Sequence, residues 1–154
     1  MCSIFGIFDI KENPQALRNT ALEMSRTQRH RGPDWEGIYQ GDHAIVVHER
    51  LSIVDPGNGA QPLYNADKTQ VLAANGEIYN HMQLKSELKE PYTFSTGSDC
   101  EVIIPLYQEF KKTGELFLDR LIGDFAFVLY DATDDSYFIA RDHMGIVPCY
   151  VGTD

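Results

Sequence analysis

Cysteine is scarce in this sequence. There are three, Cys2, Cys100 and Cys149, odd in number and far apart. That pattern argues against a disulfide framework and for a reducing, cytoplasmic setting. No Cys-x-x-Cys pair occurs, and the five histidines (His30, His43, His48, His81, His143) lack the spacing of a zinc site, so no metal is expected. A run of about 18 apolar residues is also missing, which leaves no candidate membrane-spanning helix. The N-terminus does not show the basic-then-apolar pattern of a signal peptide. Positive charge is in the minority, with 13 Lys and Arg against 23 Asp and Glu and a net charge of −10. Such a surface repels phosphate backbones, so nucleic acid and anionic membranes are poor partners. Neither G-x-G-x-x-G nor G-x-x-x-x-G-K-[ST] is present. Gly57-Asn58-Gly59 has no Lys after it and reads as a turn.

The composition, 43% hydrophobic and 11% aromatic over 154 residues, is that of one folded domain with a real core. Ser3 to Asp9 reads as a buried strand. Asn13-Pro14 is an N-cap with proline at the first helical position, and Leu17, Ala21 and Met24 share a face, predicting a helix over 14–28. Strands are expected over 37–40, 44–48, 51–54, 70–74, 124–130, 137–140 and 147–151. Asn80 is placed to cap a helix reaching about Leu88, and Ser98 with Glu101 matches a capping box for another. Strands come in adjacent groups with helices inserted between the groups. This favours an α+β layered fold of largely antiparallel sheets over a βαβ array.

Chemistry concentrates at the first residues. Cys2 follows the initiator methionine directly, and its small side chain suits removal of Met1 by an aminopeptidase. The new terminus would then carry a thiol and a free α-amine on one residue. The thiolate is the reactive form of cysteine, and ordinary thiols and terminal amines titrate within about one pH unit of each other. The amine can therefore act as base for its own thiol, the logic of terminal-threonine enzymes applied to sulfur. A buried structural cysteine is the alternative. Cys100 and Cys149 read as packing residues.

Three further places could serve such a nucleophile. Asn75-Gly76 follows a strand, and an Asn amide with a Gly N–H can converge on a developing oxyanion; Asn-Gly is equally the commonest hairpin turn. Arg50, between strand segments, could grip a carboxylate through two parallel hydrogen bonds or lie on the surface. Asp99 could accept from an ammonium group or belong to the cap of the helix that follows.

Seven motifs occur in order: Cys-Ser-Ile-Phe-Gly from Cys2, Arg-His-Arg-Gly-Pro-Asp from Arg29, Arg-Leu-Ser-Ile-Val-Asp from Arg50, Ala-Gln-Pro from Ala60, Asn-Gly-Glu-Ile-Tyr-Asn from Asn75, Gly-Ser-Asp-Cys-Glu from Gly97 and Ala-Arg-Asp-His-Met-Gly from Ala140. Together they resemble the glutaminase domain of class II glutamine amidotransferases, which are N-terminal-nucleophile (Ntn) hydrolases, and within them the glutamine-hydrolysing asparagine synthetases of the B type. The resemblance implies a four-layer αββα sandwich of largely antiparallel sheets. It makes Cys2 the nucleophile, with its own amine as base, and Asn75 with Gly76 the oxyanion hole. Arg50 would clamp the α-carboxylate of L-glutamine, Glu77 and Asp99 would receive its α-ammonium, and Leu51, Ser52, Ile53 and Val54 would line the pocket through backbone groups. The Arg29–Asp34 segment would be a flexible flap.

The implied reaction turns glutamine and water into glutamate and ammonia through a γ-glutamyl thioester. No cofactor is expected in this domain. ATP and Mg²⁺ would belong to an asparagine-synthetase domain that accepts the ammonia, and a homodimer is implied for the full-length enzyme. The Ser-Gly-Gly-x-Asp-Ser pyrophosphate loop of that second domain does not occur here. Residues 1–154 therefore read as the glutaminase domain, cut short at its C-terminal end. The alternatives are another class II amidotransferase domain, or a silent module that binds glutamine or docks a partner without turnover.

Overall fold

A computed structural model describes residues 2–51 and 60–153. Three strands form the first sheet: β1 (Ser3–Phe8), β2 (Trp35–Gln40) and β3 (Ala44–Arg50), in the order β1-β3-β2 and antiparallel throughout. The second sheet has the order β4-β5-β6-β7, also antiparallel, from Leu63–Tyr64, Gln70–Ile78, Gly123–Asp131 and Ser136–Arg141.

Side-chain alternation along each strand sorts these sheets into layers. On β1, Phe5 and Ile7 face helix α1 (Pro14–Arg26), packing with Leu17, Ala21, Leu22, Ile45 and Val47. Ile4 and Phe8 face the other way and meet Val46, Ala73, Val128 and Ile139 between the sheets. The outer face of the second sheet carries Leu72, Ile78, Phe125, Phe127 and Leu129 against Leu84 of α2 (His81–Ser86) and against Ile103, Ile104 and Leu106 of α3 (Ile103–Thr113). The layers run helix, sheet, sheet, helix: the four-layer αββα sandwich of antiparallel sheets.

Several local expectations are corrected. Asn75-Gly76 is no turn: β5 runs through both to Ile78, pairing Asn75 with Ala126 and Gly76 with Phe125. Met24 is exposed, and the buried face of α1 continues through Ser25. A polar residue belongs there because the Ser25 hydroxyl donates to the buried Glu49 carboxylate at 3.0 Å. Asn80 starts α2 without capping it; its amide instead donates to the Arg120 carbonyl at 2.9 Å and accepts from Ile122 N–H at 3.0 Å. Ser98 makes no side-chain cap, and the segment opens as a 3-10 turn, Asp99–Val102. Glu101 reaches back to Ser95 N–H (2.7 Å) and Thr96 N–H (2.8 Å). Residues 147–151 form no strand; Asp142 gathers that end, accepting from Phe125, Ile146 and Val147 N–H at 3.0–3.3 Å. Of the strand expected over 51–54, Leu51 lies beyond the end of β3 at Arg50, and 52–54 fall outside the described residues, as does Gly57-Asn58-Gly59.

Candidate active site

Cys2 stands just ahead of β1. Because Ser3 pairs with Glu49, the chain places Cys2 beside the end of β3. Leu51 N–H donates to the Cys2 sulfur at 3.3 Å, and the thiol lies 3.6 Å from the Leu51 carbonyl as donor. The side chain is half-buried, not sealed in the core. The backbone of the residue is fixed as well. Arg31 Nε donates to the Cys2 carbonyl at 3.3 Å.

That contact ties down the Arg29–Asp34 segment expected as a flap. Asp34 N–H donates to the Arg50 carbonyl at 3.0 Å. At Gly32 a Cβ would fall 2.2 Å from the Glu49 carbonyl oxygen, so only glycine lets the segment lie this close to β3. Arg29 approaches the Glu49 carboxylate at 3.8 Å. Burial pushes the Glu49 carboxyl up, while its bond from Ser25 and the charge of Arg29 oppose the rise.

Arg50 ends β3 and is buried. With His48 two positions before it, it shares the face of β3 turned toward the second sheet. His48 is fully buried and binds the Ala74 carbonyl on β5 through Nε2 at 3.0 Å. Burial first, and then the Arg50 charge, push its imidazole down to about 4; the bond to Ala74 works the other way.

Asn75 follows Ala74 on the inter-sheet face of β5, and it too is buried. Its Oδ1 has no hydrogen-bond partner among the described residues, which leaves the amide with bonding capacity to spare. Gly76 has φ +141°, and a Cβ there would lie 2.0 Å from the Asp124 carbonyl oxygen. Both conformation and space demand glycine. Glu77 is exposed at the rim. Asp99 is buried and accepts from Ile78 N–H at 2.6 Å, so one carboxylate oxygen is engaged in holding the end of β5. The Cys100 thiol lies 3.7 Å from both the Gly76 carbonyl and Asp99 Oδ2. Its pKa is raised well above the ordinary value, chiefly by burial, then by Asp99, with smaller contributions from Cys2 and Glu77.

The structure thus holds Cys2 against Leu51 at the end of β3, and it sets Asn75, Gly76 and Glu77 along β5 with Asp99 bonded to the end of that strand at Ile78. Ser52, Ile53 and Val54 lie outside the described residues. Among the described residues, no group of three or more His, Cys, Asp or Glu side chains could hold a metal ion. Sequence reasoning missed His48, Gln61 and Arg31 as individual contributors. His48 could have been found from its inward position by alternation with Val46; Gln61 and Arg31 lay inside motifs without local features to single them out.

Comparison with known proteins identifies the family of the chain. The sequence matches the glutamine amidotransferase domain family over residues 1–154. It is 63% identical to asparagine synthetase B (glutamine-hydrolysing) of Escherichia coli over 154 residues, all of this chain and 27% of that protein. It is 52% identical over 152 residues to the glutamine-hydrolysing asparagine synthetase 3 of Arabidopsis thaliana, 99% of this chain and 26% of the relative. A probable glutamine-hydrolysing asparagine synthetase of Dictyostelium discoideum is 49% identical over 154 residues, with 27% of its length matched. The chain therefore spans about a quarter of the length of the curated relatives it matches. A family match over residues 1–154 makes this chain a member of the glutamine amidotransferase domain family.

Proposed function

We propose that this chain, residues 1–154, is a glutaminase domain that hydrolyses L-glutamine to glutamate and ammonia, with Cys2 as nucleophile after loss of Met1. The observation that carries the reading is the position of Cys2: half-buried, with its sulfur 3.3 Å from the N–H of Leu51, the residue that follows the buried Arg50. Cys100 is closed off, whereas Cys149, expected as a packing residue, is half-buried and lies past the end of β7. The α-amine of Cys2 takes the thiol proton, and the sulfur attacks the γ-amide carbon. Negative charge passes to the amide oxygen, where the Asn75 amide and Gly76 N–H stabilise it. Such donors are worth about 10²–10³ in kcat each. The tetrahedral adduct collapses as the proton moves to nitrogen, the C–N bond breaks and ammonia leaves a γ-glutamyl thioester. Water, deprotonated by the same amine, then attacks the thioester; the C–S bond breaks and glutamate departs.

Arg50 pairs with the α-carboxylate of glutamine, while Glu77 and the free oxygen of Asp99 receive its α-ammonium. Leu51 to Val54 supply backbone groups along the substrate. The site uses no cofactor. The names of the relatives, glutamine-hydrolysing asparagine synthetases, support an asparagine-synthetase domain as acceptor of the ammonia; that domain would use ATP and Mg²⁺ in the cytoplasm. Pairing of two copies of the longer protein belongs to the same reading. The test is Cys2→Ala: glutamate release should vanish while folding and glutamine binding persist. Wild-type turnover in that variant ends the assignment. Intact-mass measurement should find Cys2 as the mature terminus, and retention of Met1 would favour a silent glutamine-binding module.

A further inference from the structure

Directly behind the Asn75-Gly76 step, side chains from two other segments close on a single residue of β5. Ala74 N–H donates to Gln61 Oε1 at 2.7 Å, and the Ala74 carbonyl accepts from Gln61 Nε2 at 3.0 Å and from His48 Nε2 at 3.0 Å. Strand register explains why a side chain is needed. β4 pairs Leu63 with Leu72 and Tyr64 with Val71 and goes no further. Continued by two residues, that register would set Gln61 opposite Ala74, but the pairing stops at Leu63 and the Gln61 carbonyl lies against Gly37 instead. The Gln61 amide stands in for the missing strand, offering Ala74 one acceptor and one donor as a backbone would.

The first sheet encloses this clamp. Gly37 is the cross-strand partner of His48, and a Cβ at Gly37 would lie 1.8 Å from the Gln61 carbonyl oxygen. A carbonyl only accepts, so His48 Nε2 carries the proton and Nδ1 is bare; Nδ1 has no partner among the described residues. His48 is thus committed as a neutral donor to one atom.

We infer that Gln61 and His48 are positioning residues for the oxyanion hole: holding Ala74 by its N–H and its carbonyl, they fix the peptide planes on both sides of Ala74 and so the direction of the Asn75 amide and the Gly76 N–H. This rests on the roles proposed above for Asn75 and Gly76. The Asn75 Oδ1 has no partner among the described residues to restrain it. A displacement of about 1 Å at such a site can cost about 10²-fold in rate.

Gln61→Glu separates positioning from mere packing, because the introduced carboxyl can accept from Ala74 N–H in either state but can donate to the Ala74 carbonyl only when protonated. In the full chain, kcat for glutamate release should fall about 100-fold at pH 8, and the ratio to wild type should recover about ten-fold by pH 6. KM for glutamine should stay within about three-fold, since Arg50 is untouched. Gln61→Met should show the loss with no recovery. A pH-independent ratio for Gln61→Glu, or kcat near wild type in both variants, overturns the inference. His48→Leu should lose about ten-fold or more in kcat, and His48→Gln, which keeps a donor, should regain most of it; equal rates for the two also overturn it, even if the Gln61 variants do not fold. Hydrogen exchange at Asn75 and Gly76 N–H needs no turnover and should be about ten-fold faster in His48→Leu than in wild type. If the wild type releases no glutamate, the glutaminase reading has failed; unchanged exchange sinks the clamp whether or not it does.

Discussion

His48 should make this protein acid-sensitive over a window set by a single side chain. Its imidazole ordinarily titrates near 6.5 and is pushed to about 4 in the folded chain. The unfolded chain therefore takes up a proton as the pH drops through about 6.5, while the folded chain refuses it until about 4. Stability is fully present above the upper value and is lost progressively below it. At about 1.4 kcal/mol per pH unit, the loss reaches about 3 kcal/mol by pH 4. The physical cause is burial between the sheets, reinforced by Arg50 on the same strand face. Other groups titrate in the same range. Glu49, whose carboxyl burial pushes up, moves stability the opposite way, gaining as the pH falls. Comparison with His48→Gln cancels these shared contributions. Urea unfolding at intervals from pH 7 to 4 should show wild type losing about 3 kcal/mol more than the variant. With a urea slope near 2 kcal/mol/M, that is a relative midpoint shift of about 1.5 M. Parallel loss in the two proteins would refute the account of His48 as a buried neutral group.

Gly76→Ala should destabilise by about 2–4 kcal/mol in urea unfolding, since it adds a clash to an unfavourable φ. Gly114→Ala, at φ +74° with open space around it, should cost only about 1 kcal/mol; equal effects would remove the close approach to Asp124 as a cause. Arg50→Ala should raise the glutamine KM by roughly 30-fold or more, because it strands a buried charge partner. Arg18→Ala, on α1 and bonded to Gln40, should change it by less than about three-fold, and similar effects would take Arg50 out of the pocket.

Period-two alternation and the grouping of strands carried the layered architecture, because each sheet buries its two faces against different partners. β3 is buried along its whole length, yet its alternation still decides which residues face α1 and which face β5. Local signals failed where a distant partner overrode them. Asn75-Gly76 has the composition of a turn but lies in a strand, because nine residues of β5 pair with β6 and only glycine fits against Asp124. Ser98 and Glu101 have the spacing of a capping box, yet Glu101 serves the loop ahead of it. Ser25 took the buried position that period alone would give to an apolar residue, since Glu49 lies beneath it. At the candidate site, side chains with chemistry of their own could be singled out from the sequence. Those acting on backbone, Arg31 on Cys2 and Gln61 on Ala74, could not, because a side-chain amide or guanidinium reveals its partner only once the strands are assembled.

The central claim concerns which sulfur is the nucleophile, and a glutamine-mimicking diazo-ketone tests it most directly. Cys100 is buried, with its thiol held protonated by burial and by Asp99, whereas Cys2 is half-buried with its sulfur at the Leu51 N–H. Peptide mass mapping after treatment should find one label per chain, on Cys2, with glutamine slowing its appearance. A label on Cys100 or Cys149, or none on Cys2, would contradict the account.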